Sequence, residues 1–178
     1  MSWKLLPDKK LSMLTQASVL SKESASEIIN TYKGHHRLDT TKTNSFSLRS
    51  LAMDPVDWIR LYESVTSVIL DANLNNYGFK LQGISSLYYV ELDEDGFMDW
   101  NMELLESHRE TNKLSIYINL NDDYEGGKFS VMNPKPTIVT QMVGQMTMFP
   151  SFLLSKHDPI KSGVKRMVAG TVTGLSFT

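Results

Sequence analysis

One stretch of alternating residues constrains the fold of this chain most strongly. Residues 113–120, KLSIYINL, alternate leucine and isoleucine with serine, tyrosine and asparagine. Side chains of a β-strand point alternately to opposite faces, so this pattern predicts a strand with one apolar, buried face. The other face is expected to line a cavity or to meet solvent. The Gly126-Gly127 pair that follows predicts a hairpin turn.

Other segments extend the prediction to a whole domain. Turn residues separate further short runs rich in β-branched and aromatic residues, at 79–81, 86–92, 128–132, 145–154 and 164–172. Upstream, apolar residues recur at helical spacing in two segments. The first is 19–33, capped by Ser21 or Ser24, and the second begins at Asp54-Pro55 and ends near 73–76.

Two helices followed by six or more strands predict an α+β fold. We expect a jelly roll with two N-terminal helices packed on the sheet. Residues 1–18 are expected to form an arm that lies on the domain or docks on another subunit, and residues 19–178 form the domain.

Composition excludes several classes of function. The 178 residues include no cysteine, which excludes disulfides and thiolate metal sites. The net charge of −2 gives no nucleic-acid signature. No apolar run approaches the roughly 20 residues of a membrane span, and no secretory signal opens the sequence. We therefore expect a cytoplasmic or particle-associated protein.

An ordered set of short motifs carries a family resemblance over about residues 17–175. The motifs are Asn76-Tyr77-Gly78-Phe79, Asp99-Trp100, Lys113-Leu114-Ser115, Asn119-Leu120-Asn121, Tyr124-Glu125-Gly126-Gly127, Phe149-Pro150-Ser151-Phe152, and Pro159-Ile160 with Gly163 and Lys165. In this order they resemble the prolyl-hydroxylase type of 2-oxoglutarate/Fe(II) dioxygenase. The resemblance implies a double-stranded β-helix, the jelly roll of that family, with a ferrous centre formed by two histidines and one carboxylate.

Carried over residue by residue, the resemblance implies altered iron ligands. The proximal histidine falls on Asn101, the aspartate on Glu103 and the distal histidine on Ser155. An amide oxygen and a neutral hydroxyl are weak ligands for Fe(II), so we expect no bound iron. The family's arginine for the distal carboxylate of 2-oxoglutarate falls on Lys165, which keeps the charge without the bidentate geometry.

A second set of residues offers an alternative metal site. His108 and Glu110 have the His-x-Glu spacing, and His157 follows Ser155 by two positions. Using the first pair requires sliding that strand by seven residues, against the register that Trp100 sets. His157 stands just before an Asp-Pro pair, and we expect it at the exposed end of a strand.

These observations leave three functional hypotheses. The leading one is a non-catalytic structural or interaction module without cofactor, which assembles with other protein subunits as an oligomer. Its likeness to phage components suggests a virion part in the neck or tail, with the N-terminal arm and a Met-rich strand as contacts. The alternative is an active oxygenase that uses Fe(II) and 2-oxoglutarate on a peptide. The third is a module that binds a small acid at Lys165 without converting it.

Overall fold

The computed structural model describes residues 13–104 and 110–176 of the chain. Within them the chain forms thirteen β-strands, two α-helices and one π-helical turn at Asn73–Tyr77. The helices are α1 (Lys22–Tyr32) and α2 (Ile59–Ala72). The strands are β1 (Thr15–Ser18), β2 (Asp39–Lys42), β3 (Phe46–Met53), β4 (Leu81–Leu92), β5 (Phe97–Asn101), β6 (Glu110–Asn119), β7 (Tyr124–Gly126), β8 (Phe129–Met132), β9 (Pro136–Val139), β10 (Gln145–Pro150), β11 (Ser155–His157), β12 (Ile160–Gly163) and β13 (Lys165–Leu175).

The first helix begins three residues later than its periodicity predicts. Ser21 is the N-cap, and its hydroxyl oxygen accepts a hydrogen bond of 3.2 Å from the backbone N–H of Ser24. Just before it, the backbone N–H groups of Val19 and Leu20 both donate to the carbonyl oxygen of Gly144. These residues are therefore tied to the sheet and not available to the helix.

The second helix also begins late, at Ile59 and not at Pro55. The Asp54 carboxylate accepts a hydrogen bond of 2.8 Å from the N–H of Val56, and its carbonyl oxygen accepts one of 3.1 Å from Trp58. These bonds close a separate turn. Trp58 then has φ −113° and ψ 30°, outside the helical range, so the α-helix starts only after it.

The strands form one long, curled antiparallel sheet and a small second one. The order in the long sheet is β1-β10-β6-β13-β4-β3-β5-β11-β8-β9, with β2 added beside β3, and β7 pairs with β12 in the second sheet. Strand β3 pairs with β4 through its later residues and with β5 through its first two. It thus carries the sheet from the helix-covered half to the half that contains β5, β11 and β8.

The predicted alternation in β6 is confirmed. Leu114, Ile116 and Ile118 are buried in one core together with apolar side chains of α1 and α2. Tyr117, on the opposite face, is buried in a second core with Phe129 of β8. Side chains on both faces of β6 are therefore buried, each face in a different core. The second face lies inside the curled sheet and does not meet solvent.

The shorter strands escape the sequence prediction. Strand β2 is exposed along its whole length, and the strands β7, β9 and β12 have three or four residues each, too few for a period to be recognised. Four residues of the predicted N-terminal arm form β1, which pairs with β10 at one edge of the sheet. Neither of the two described helices has the length and apolarity that crossing a bilayer requires.

Candidate functional site

The inner face of the curled sheet collects polar side chains, which are buried except for the partly buried Asn101 and Glu103, and most of them stand at positions that the sequence singles out. They come from four neighbouring parts of the fold. The residues are Asn101 and Glu103 at the end of β5, Ser115 and Tyr117 of β6, Ser155 and His157 of β11, and Lys165 at the start of β13. This set is the candidate site.

The two positions where the resemblance places iron-binding histidines lie side by side. Asn101 and Ser155 are register partners in the antiparallel pair β5–β11. The Asn101 side-chain N–H₂ donates to the carbonyl oxygens of Asp99, at 2.9 Å, and of Ser155, at 3.4 Å. Ser155 is buried. The strand pairing thus places these two positions next to each other.

Glu103, at the carboxylate position, is held by a tyrosine. The Tyr117 hydroxyl donates a hydrogen bond of 2.5 Å to Oε1 of Glu103. Burial raises the pKa of Glu103, while hydrogen bonds from Tyr117 and Ser115 lower it in part. Burial, followed by the nearby Glu103 carboxylate, raises the pKa of Tyr117 well above its ordinary value. The tyrosine therefore stays a neutral donor to this carboxylate.

Lys165 is buried in the interior without a carboxylate partner. Its side chain is 2% exposed, and Nζ donates to the carbonyl oxygen of Gly127 at 2.8 Å and lies 3.1 Å from Nδ1 of His157. Among the described residues no carboxylate lies within ion-pair distance of it. Burial lowers the pKa of Lys165 from 10.5 to about 8, and the charge of Asp158 opposes that shift.

The prediction that His157 is exposed is wrong. Its side chain is 1% exposed, and its ring stacks on Phe129 at 4.5 Å and meets Tyr117 edge-on at 5.1 Å. Strand β11 lies between β5 and β8, so the Asp-Pro pair ends the strand but does not bring the histidine to the surface. Burial, and then the charge of Lys165, hold the pKa of His157 well below its ordinary value.

The donors at the three implied ligand positions do not fit a ferrous centre. An amide, a hydroxyl and one carboxylate already held by a tyrosine replace the two imidazoles and the carboxylate that Fe(II) prefers. Over residues 13–104 and 110–176, no three histidine or acidic side chains converge as a metal site. Of the alternative set, His108 lies outside the described residues. Glu110 begins β6 opposite Leu175.

A small cavity reaches Lys165 from the side of the Gly126-Gly127 turn. Its volume is about 200 Å³, and its lining includes Tyr124, Gly127, Phe129, Gln141 and Lys165. The Lys165 Nζ lies 5.5 Å from the centre of the Tyr124 ring. This space next to a buried cation suits a small acid better than a bulky or uncharged ligand.

Sequence reasoning missed Tyr117 and the carbonyl oxygen of Gly127 as parts of the site. The signal for Tyr117 was available, because the alternation of β6 places it on the second face with Ser115. For the Gly127 carbonyl oxygen, the sequence offered only the position of Gly127 in the predicted Gly-Gly turn. Its left-handed φ of +59° belongs to a backbone position that favours glycine.

The fold is similar to those of solved oxygenase structures. A prolyl-4-hydroxylase from Pseudomonas putida superposes with a TM-score of 0.74 at 13% identity, over 89% of this chain and 91% of that one. The viral collagen prolyl hydroxylase from Paramecium bursaria Chlorella virus-1, in a 2-oxoglutarate complex, gives 0.71 at 12% identity, over 92% and 97%. HygX from Streptomyces hygroscopicus, with nickel and 2-oxoglutarate bound, gives 0.60 at 14% identity, over 94% and 84%.

Sequence comparison alone finds no relative. No protein-family model matches the chain. No curated protein sequence matches it either. The likeness is therefore one of fold, carried by three-dimensional structure at 10–14% identity.

These neighbours bear on two expectations from the sequence, the absence of a cofactor and the non-catalytic role. The expectation that no cofactor is involved is wrong, because proteins with this fold hold 2-oxoglutarate and, in one case, nickel. The neighbours also support the oxygenase hypothesis better than the non-catalytic module, and the virion role and oligomeric assembly stay predictions. Mostly β, with a curled antiparallel sheet and helices α1 and α2, the chain has the fold of the prolyl-4-hydroxylase-like 2-oxoglutarate/Fe(II) oxygenases.

Proposed function

We propose that this chain, a double-stranded β-helix with two N-terminal helices packed on it, binds a small dicarboxylic acid of the 2-oxoglutarate type. Lys165 is the anchoring group. The proposal rests on the buried ammonium group of Lys165. Its described partners, a carbonyl oxygen and a neutral imidazole, bring no negative charge. A carboxylate from a ligand would supply that charge.

The energetics of burial support this assignment. A charged group removed from water costs free energy unless an opposite charge or enough hydrogen bonds compensate it. The nearest acidic residue in sequence, Asp158, already pairs with Lys156 at 2.7 Å. An ammonium has three N–H donors, and two of those of Lys165 are used by Gly127 and His157. No described residue accepts from the third, which an acid in the adjoining cavity can therefore use.

Calorimetric titration with 2-oxoglutarate tests the proposal. We expect one molecule to bind per chain, and Lys165→Met to weaken binding by about 10- to 100-fold, because a charge-assisted hydrogen bond is lost. Lys165→Arg keeps a cation that can grip a carboxylate and should retain binding. Lys161→Met is the matched control, since Lys161 is an exposed lysine of β12 outside the cavity.

The titration also has a clear negative result. Failure of the folded wild-type chain to bind 2-oxoglutarate would overturn the proposal. Equal binding by the wild type and Lys165→Met would overturn the role of Lys165. Circular dichroism of each variant establishes that it is folded before the titration.

Peptide oxygenation is the second candidate, and the structural neighbours described as prolyl hydroxylases favour it. It needs a metal that the donors at positions 101, 103 and 155 do not fit as a set. The test is anaerobic purification with Fe(II) and 2-oxoglutarate, followed by measurement of bound iron and, after oxygen is admitted, of succinate. Stoichiometric iron with succinate release would make the chain an oxygenase. Acid binding without bound iron and without succinate would identify the chain as an acid-binding module.

A further inference from the structure

The contact between Lys165 and His157 fixes where the imidazole proton lies. An ammonium nitrogen only donates, so the 3.1 Å contact from Lys165 Nζ requires a lone pair on Nδ1 of His157. A protonated ring would set a second positive charge and a second N–H donor against the ammonium, so the ring is neutral. A neutral imidazole with an unprotonated Nδ1 carries its proton on Nε2. Nε2 of His157 is therefore an N–H donor.

That donor has no partner in the described part of the chain. Nε2 is buried without a hydrogen bond, and the residue as a whole is 1% exposed. Buried N–H groups are nearly always paired, and one that no described residue pairs calls for an acceptor from a bound molecule. His157 is not itself part of the lining of the cavity of about 200 Å³, but it contacts two residues that are, Phe129 and Lys165.

We infer that His157 is a second anchoring group for the bound acid, which donates from Nε2 to one of its oxygen atoms. This inference rests on the proposed acid binding at Lys165 and adds a specificity-determining residue to it. Lys165 and His157 then act as one unit: the lysine orients the imidazole through Nδ1, and the imidazole presents its N–H to the ligand. The ligand class is an acid with a second acceptor oxygen beyond the carboxylate held by the lysine.

The same geometry argues against His157 as a metal ligand through Nε2. Coordination there needs a lone pair on Nε2, which would place the ring proton on Nδ1. Nδ1 faces the ammonium of Lys165, which is itself a donor, so two hydrogens would then point at each other. The alternative metal role that the sequence suggests for His157 is thus opposed by its own neighbour.

Two substitutions separate a donor role from a packing role. His157→Phe keeps an aromatic ring against Phe129 and removes both nitrogens, whereas His157→Gln removes the ring and keeps an amide that can accept from Lys165 and donate. The probe is 2-oxoglutarate, measured by calorimetry. We expect roughly tenfold or greater weakening for His157→Phe, and retention of most of the affinity for His157→Gln.

The outcomes distinguish this inference from the function on which it rests. Absence of binding to the wild type would overturn both. Binding to the wild type that His157→Phe leaves unchanged, or that only His157→Gln weakens, would overturn the donor role and leave the proposed function standing.

Nitrogen-15 NMR of the histidine rings provides an independent readout. We expect the Nε2–H tautomer for His157 and a downfield shift of its N–H proton when 2-oxoglutarate is added. His35 and His36, whose rings stack on each other in the turn after α1, serve as the internal reference and should not shift. A proton on Nδ1 of His157 would refute the inference.

Discussion

Lys165 has no carboxylate partner among the described residues, and it should make the ligand-free protein more stable as the pH rises above neutral. The pKa of this lysine is about 8 in the folded chain and near 10.5 when exposed. Between these values the unfolded chain binds more protons than the folded one, so the free energy of unfolding rises with pH. The destabilisation is fully present below pH 8 and is relieved as the pH rises toward 10.5.

The size of the effect follows from the two pKa values. A shift of 10.5 to about 8 corresponds to roughly 3 kcal/mol of destabilisation at low pH, at about 1.4 kcal/mol per pKa unit. Between about pH 7 and pH 9.5, the linkage relation gives a gain of about 2 kcal/mol in the free energy of unfolding. The range stops below pH 10, where unfolded tyrosines begin to ionise.

Urea unfolding at several pH values measures this gain. The wild type is compared with Lys165→Met, which lacks the titrating group, so the difference between their pH profiles isolates the lysine. We expect the wild type to gain about 2 kcal/mol relative to the variant, and saturating 2-oxoglutarate to reduce that gain, because a bound carboxylate favours the charged lysine. Parallel profiles without ligand would refute the burial of an uncompensated charge.

Three further predictions concern the framework around the site. Glu91 is 1% exposed and accepts hydrogen bonds from two arginines and one tyrosine, so Glu91→Gln should lower the free energy of unfolding in urea by about 3 kcal/mol. Gly144→Ala should lower the free energy of unfolding by roughly 2 kcal/mol or more, because φ is +78° and the added Cβ would overlap a backbone carbonyl. Gly34→Ala is the control: φ is +69° but the space around it is open, so the loss should be only about 1 kcal/mol. Tyr117→Phe removes a hydrogen bond that favours the charged form of Glu103 and so lowers its raised pKa. The free energy of unfolding in urea should therefore fall by about 1–3 kcal/mol. The loss should be larger at pH 7 than at pH 4.5, because the hydrogen bond stabilises the carboxylate that forms at the higher pH.

The longer strands were predictable from local sequence, whereas the short strands and the side-chain contacts inside the sheet were not. The alternation in residues 113–120 defines β6 because each residue reports the face on which it lies. The late start of α2 was not predictable, since Asp54 and Pro55 form a favourable helix start by themselves and only the observed turn shows that the helix begins at Ile59. Boundaries depend on such local competition, and propensity alone does not resolve it.

The candidate site was also predictable only in part. The family resemblance assigned Asn101 and Ser155 to two iron-ligand positions, and in the structure these residues are register partners of neighbouring strands. The contact between His157 and Lys165 depends on two strands that are not adjacent in the sheet, and no local pattern encodes it. A histidine followed by Asp-Pro suggests an exposed end, whereas the packing of Phe129 and Tyr117 against its ring accounts for its burial.

A crystal structure of the protein grown with 2-oxoglutarate would locate the bound acid. We expect one molecule of the acid inside the curled sheet, with a carboxylate oxygen in hydrogen-bond contact with Lys165 Nζ and a second oxygen accepting from Nε2 of His157. An interior without the acid under saturating conditions, or the acid bound away from Lys165, would contradict this prediction.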